Sequence, residues 1–154
     1  LIDDTSKSTK ITKTKCDILF LEGWCCGSSE IPKKILHKNI NNLEKIKDPK
    51  YQWRNFYNNK LKIEYKKLFK LFDELIFLKT SSFDNVFKWR LKQEKTNQSK
   101  NEKSKRMTPN EIKTFIQHYE KITKWMIKDL NKKAQIVIKF EKNLTTGWYK
   151  LTFF

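Results

Sequence analysis

Asp17-Ile18-Leu19-Phe20-Leu21-Glu22-Gly23-Trp24 is the stretch on which the fold turns. Four large apolar residues stand between an acid and Glu22-Gly23. A short unbroken apolar run reads as a strand buried on both faces, as in the middle of a parallel sheet. The expected strand spans residues 16–21. In open α/β sheets, ligands bind beyond the carboxyl ends of the strands. Glu22 would stand at that end, and Gly23 would let the backbone turn away. On the residues alone, a strand that merely stops at a polar loop fits equally well.

The chain around this stretch has 154 residues, enough for one domain with a real core. Its aromatic content of 14% argues against a disordered chain. The formal charge is +17, from 34 Lys and Arg against 17 Asp and Glu. Such an excess invites nucleic acid, an anionic membrane or a phosphorylated small molecule. Yet Arg54, Arg90 and Arg106 are the only arginines, and the lysines accompany abundant Asn and Ile. That pattern points to a coding bias spread over solvated faces, and it disfavours nucleic acid as the partner. Cys16, Cys25 and Cys26 have neither C-x-x-C nor metal-ligand spacing. They read as reduced thiols in a cytoplasmic protein. No run reaches the length of a membrane span, and the N-terminus lacks the apolar core of a signal peptide.

Downstream, a short helix is expected around residues 42–46. Apolar residues at Phe56, Leu61, Tyr65, Leu68, Phe69, Phe72 and Leu75 then fall three and four apart. They predict an amphipathic helix over 53–75 with one core-facing stripe. Residues 75–78 read as a second buried parallel strand, joined to the first by a βαβ crossover. Val86, Trp89 and Arg90 open a helix that runs into Lys92, Lys95, Lys100, Lys103, Lys105 and Arg106 with almost no apolar residues. A core helix cannot look like this. From composition it is a basic surface helix with a loose tail. Thr108-Pro109-Asn110-Glu111 carries the cap, the N1 proline and the capping-box acid of a helix start. A stripe from Ile112 to Leu130 follows, with His118 beside it as a structural hydrogen-bonding group. Ile136, Val137 and Ile138 make 134–140 a third strand, and 144–154 reads as either a last strand or the product of a frame change.

Four stretches taken together resemble a known family: Asp17-Ile18-Leu19-Phe20-Leu21-Glu22-Gly23-Trp24-Cys25, Ser82-Phe83-Asp84-Asn85-Val86-Phe87-Lys88-Trp89-Arg90-Leu91-Lys92-Gln93-Glu94, Met107-Thr108-Pro109-Asn110-Glu111 and Phe115-Ile116-Gln117-His118-Tyr119-Glu120-Lys121-Ile122-Thr123. Their order and spacing are similar to the second half of the D-glycerate 3-kinase group, P-loop kinases related to uridine kinase and phosphoribulokinase. The similarity runs from about Asp3 to about Asn143. One departure is large. The family's phosphate-binding loop, G-x-x-x-x-G-K-[ST], is absent, for Gly23, Gly27 and Gly147 are the only glycines.

The resemblance implies an α/β parallel-sheet P-loop kinase fold, N-terminally truncated, with residues 1–154 forming one partial kinase domain and a basic helical lid at about 83–106. It implies transfer of the γ-phosphoryl of ATP to a hydroxyl of glycerate or a similar small acceptor, with Mg²⁺. Glu22 would hold the magnesium ion. Arg90 and Lys92 would meet the transferring phosphoryl group. Gln93 and Asn143 would lie on the nucleotide side. Arg54, Trp24 and Asp4 would face the acceptor, Asp4 with Asp3 beside the hydroxyl proton. The residues themselves leave a solvated Arg54, a merely packed Trp24 and a frayed end at Asp4 open. The alternative class is a basic non-enzymatic module binding nucleic acid or an acidic partner.

Overall fold

The computed structural model describes residues 15–98, 107–140 and 150–153. In chain order they form α1 (Lys33–Leu36), α2 (Asn42–Lys47), α3 (Gln52–Lys60), a π-helical segment (Leu61–Tyr65), α4 (Lys66–Phe69), β1 (Ile76–Thr80), α5 (Asp84–Gln98), α6 (Pro109–Lys133), β2 (Ile136–Phe140) and β3 (Lys150–Phe153). The chain is thus a mixed α and β structure around a small sheet of order β1-β2-β3 among the described residues.

β1 and β2 are parallel and in register from Ile76↔Ile136 to Thr80↔Phe140. Parallel neighbours require a long crossover, and here α5 and α6 supply it. The strands expected at 75–78 and 134–140 are therefore both present, but β1 is buried on one face only, for Phe77 is buried while Ile76 and Leu78 are exposed. β3 pairs antiparallel with β2, Ile136 opposite Phe153, so residues 150–153 of the 144–154 segment form a strand, and its other residues lie outside those described.

α6 is the spine of the molecule. Thr108 Oγ1 accepts the Glu111 amide at 3.3 Å, and Glu111 Oε2 accepts the Thr108 amide at 2.7 Å. Both halves of the expected capping box are thus made. One face of α6 serves two cores. Ile122 joins Ile31, Leu36 and Leu61 in the first. Leu130 joins Phe77, Ala134 and Val137 in the second, and Met126 packs against both. Thr108→Ala is expected to cost about 1 kcal/mol. The check is the urea midpoint at unchanged slope, and an unshifted midpoint would show that the box does not matter.

Two expectations fail. Residues 15–23 carry no strand. Ile18, Leu19 and Phe20 are 70%, 86% and 79% exposed. A strand is a pairing relation, and among the described residues β1 hydrogen-bonds only to β2. With no neighbour to satisfy its backbone, 16–21 stays open to water, and the crossover expected between it and β1 does not form. The long helix over 53–75 is also altered. It ends at Phe69 and is interrupted by the π-helical segment. A π turn offsets the residues that follow it. Of the expected stripe, Leu61 is buried, Leu75 packs against the second core and Phe69 and Phe72 are half-buried, but Phe56, Tyr65 and Leu68 are exposed, so the stripe does not face the core continuously.

Candidate functional site

The chain after the irregular stretch is anchored on α6. Cys25 (φ 64°) and Gly27 (φ 77°) both take the left-handed conformation. The positive φ favours glycine at position 27, and a Cβ there would stand 2.6 Å from Leu75 Cδ2, so that the Leu75 side chain would have to move. The turn delivers Ser29, whose hydroxyl donates to Asp129 Oδ2 at 2.6 Å and whose carbonyl accepts from Trp125 Nε1 at 3.2 Å. Ile31 and the Asn58 side chain exchange two hydrogen bonds, of 2.7 and 3.0 Å. These ties fix Trp24. Its Nε1 donates to Thr123 Oγ1 at 3.1 Å, and its ring meets Tyr119 edge-on with centroids 4.9 Å apart.

Trp24 thereby becomes one wall of a cavity of about 380 Å³ beside the carboxyl end of β1. β1 contributes Phe77, Leu78 and its last residue, Thr80. The opening turns of α5 contribute Trp89 and Arg90, and α6 adds Phe115, Ile116 and Met126 among others. Among the described residues Arg90 is the only charged side chain in this lining. Its Cζ lies 5.4 Å from the Phe115 ring centroid. Nη1 donates to Gln93 Oε1 at 2.7 Å, and Nη2 is paired with Glu94. Nε is buried with no hydrogen-bond partner among the described residues.

Two expected site residues, Trp24 and Arg90, are thus brought to one cavity, with Gln93 held against Arg90. The others stand apart. Lys92 is exposed on α5 and outside the lining, because two helical residues turn it well away from Arg90. Asp4 and Asn143 lie outside the described residues. Glu22 is exposed on the irregular stretch rather than at the end of a buried strand.

Arg54 is the clearest correction. It is 0% exposed and faces no ligand space. Nε donates to Asp48 Oδ2 at 2.9 Å, Nη1 to the Leu36 carbonyl and Glu44 Oε2, and Nη2 to the carbonyls of Glu44 and Asp48. A guanidinium has five N–H donors, and all five are used internally. Lys121, also buried, reaches Glu44 at 3.3 Å and the carbonyls of Ile35 and Lys38. Burial pushes the Asp48 carboxyl up, but hydrogen bonds from Arg54 and from the amides of Trp53 and Arg54, with the guanidinium charge, bring it below its ordinary value. Burial likewise pulls the Lys121 ammonium down, against the pull of Glu44. This network locks the 36–54 segment to α6. Its one local sign is Asn41, whose side chain caps α2 by accepting the Glu44 amide.

The donor set decides what the cavity can do. Its polar members include Arg90, Thr80, Thr123 and Tyr119, and among the described residues no carboxylate and no histidine lines it. Such donors can bind and orient a molecule. Magnesium is held by carboxylates with phosphate oxygens and waters. Among the described residues no group of three His, Cys, Asp or Glu could hold a metal ion, and Glu22 is a lone exposed carboxylate. These residues do not fit a preformed Mg²⁺ site, and without the glycine loop they do not cradle ATP phosphates. No helix of the described residues is long and apolar enough to cross a membrane. No family model, no curated protein and no solved structure matches the chain.

Proposed function

We propose that the chain carries the acceptor side of an ATP-dependent small-molecule kinase, acting on a hydroxyl of a small hydroxy acid of which glycerate is the type that the sequence resemblance implies. One observation carries this reading. Trp24 and the Trp89-Arg90 pair are far apart in sequence, yet they line one cavity beside the carboxyl end of a parallel strand, with Gln93 and Glu94 bonded to Arg90. That is the end at which α/β sheets hold ligands.

Phosphoryl transfer asks a protein mainly for positioning and for charge opposite the transferring group. Trp24 and the aromatic walls supply positioning. Arg90 supplies charge, with Gln93 and Glu94 holding its guanidinium in place. By the resemblance, the proton of the acceptor hydroxyl would fall to Asp4. ATP binding requires a phosphate loop that the sequence does not contain.

Residues 1–154 alone are therefore expected to give no ADP formation above background. The deciding assay uses the whole gene product and measures hydroxy-acid-dependent ADP release. Arg90→Ala should lower that rate by about 100-fold or more, the usual loss when one donor to the developing charge is removed. Absence of any hydroxy-acid-dependent ADP formation from the whole gene product overturns the kinase reading.

A further inference from the structure

The helical stretch from α3 to α4 keeps most of its apolar side chains in water. From Asn55 to Ile76 only Leu61 is buried, and Lys62 to Leu68 are seven exposed residues in succession. Phe56 is 63% exposed and Leu71 is 76% exposed. We propose that this stretch is a docking surface for an anionic lipid bilayer, on which it lies in the plane of the headgroups. Such docking is independent of phosphoryl transfer.

The first observation is the apolar side. The π-helical segment and α4 make their principal contacts with each other and with α3 rather than with the core. In an unbroken α-helix Phe56 and Tyr65 would stand about 180° apart, at about 100° per residue. The π turn is wider and advances less per residue. It therefore draws Tyr65, Leu68 and Leu71 round toward the side of Phe56. Large apolar side chains gathered outside a fold mark a protein or membrane contact.

The second observation is charge. Between Pro49 and Phe72 the sole acid is Glu64, and it is paired with Lys60. Lys62, Lys66 and Lys70 recur every four residues and make one row along the helix, with Lys67 beside it. None of these four lysines is in an ion pair among the described residues. Like charges at that spacing destabilise a helix, and an anionic surface turns the repulsion into attraction. A helix with large apolar groups and a lysine flank lies in the membrane interface, its apolar side inward and its ammonium groups at the phosphates. The other exposed apolar run, Ile18 to Leu21, is bracketed by Asp17 and Glu22 and lacks that charge.

The third observation separates lipid from protein. Protein interfaces favour arginine and are depleted of lysine. From Asn55 to Ile76 every cation is a lysine, and Arg54 just before them is wholly buried. An ammonium is a strongly hydrated point charge without the fixed fork of a guanidinium. It suits lipid phosphates, whose positions are not fixed.

The test is cosedimentation of the full chain with sucrose-loaded vesicles of phosphatidylcholine, alone or with about 30% phosphatidylserine, in about 0.1 M salt. Binding to the mixed vesicles is expected to be at least about tenfold tighter, since each lysine near an anionic surface is worth about fivefold. Lys62→Gln, Lys66→Gln, Lys67→Gln and Lys70→Gln together should weaken it by about 100-fold or more. The same change at Lys88, Lys95, Lys128 and Lys132, exposed elsewhere, should alter it by less than about threefold, because charges beyond a Debye length are screened. Leu68→Gln with Leu71→Gln should weaken binding by about tenfold and leave its salt dependence in place. All these side chains are exposed, and unchanged thermal midpoints will show that the variants fold. No binding to the mixed vesicles at about 1 mM lipid, tenfold above what a single myristoyl chain needs, overturns the assignment. So does an equal loss from the two sets of lysines, which would reduce binding to the net charge of the chain. So does binding that ignores the two leucine substitutions. Poly-L-glutamate and a single-stranded DNA oligonucleotide serve as competitors. If either displaces the chain from the mixed vesicles at equal charge and loses affinity with the first lysine set alone, the surface belongs to an acidic protein or to nucleic acid, and the lipid assignment fails.

Discussion

Arg54→Met is expected to destabilise the protein by about 3–5 kcal/mol, the cost of removing one partner from a buried ion pair. Methionine matches the arginine stem in shape but brings no donors. Glu44, at 1% exposure, and Asp48, at 6%, would remain as buried carboxylates with Lys121 as the neighbouring cation. The carbonyls of Leu36, Glu44 and Asp48 would lose their guanidinium donors as well. Arg54→Lys should recover only part of the loss, because an ammonium has three donors and no planar fork. Urea denaturation gives the magnitude, and its pH dependence gives the cause. In the native protein the Asp48 carboxyl lies below its ordinary value, since the Arg54 and amide hydrogen bonds outweigh burial. A carboxyl depressed on folding contributes stability that is complete above its unfolded value, about 3.9. That contribution is lost as pH falls through the folded value. The gap between native protein and variant should therefore be widest at neutral pH and narrow below about pH 4. A loss under about 1 kcal/mol, typical of exposed pairs, would mean that Arg54 is a solvated arginine after all.

The fate of Arg54 shows where sequence reasoning stops. Its place near the start of a helix was legible, for α3 begins at Gln52. Its burial was not, because that depends on carbonyls from α1 and α2 and on a lysine far along the chain. α6 was legible in detail because its information is local: a cap, a proline, an acid three residues on, and an apolar stripe of helical period. β1 and β2 were legible from apolar runs of strand length. The same signal at residues 16–21 misled, since an apolar run states a need for burial without supplying the neighbour that meets it. Trp24 and Arg90 could be named as candidates from the resemblance. That they face one cavity, and that Phe115, Ile116 and Met126 make it apolar, emerges only when α6 packs beside β1 and α5.

The contrast between two leucines tests that fold directly. Leu130→Ala is expected to cost about 2–5 kcal/mol, the transfer of the lost atoms plus the cavity left behind. Leu130 is 1% exposed and packs with Phe77, Ala134 and Val137, where α6 meets both parallel strands. Neighbours drawn from two strands and a helix end cannot easily collapse into the space, which places the cost toward the upper part of the range. Leu19→Ala should change stability by no more than about 0.5 kcal/mol, as for surface positions generally, because Leu19 is 86% exposed. Had residues 16–21 formed a central buried strand, the two substitutions would cost alike, since each would remove the same atoms from a core. Thermal and urea denaturation of the two variants beside the native protein separate these cases. A Leu19→Ala loss comparable to that of Leu130→Ala would place the 16–21 stretch inside the sheet and refute its exposure. A small effect at both positions would instead refute the core beneath α6, and with it the wall that closes the Trp24–Arg90 cavity.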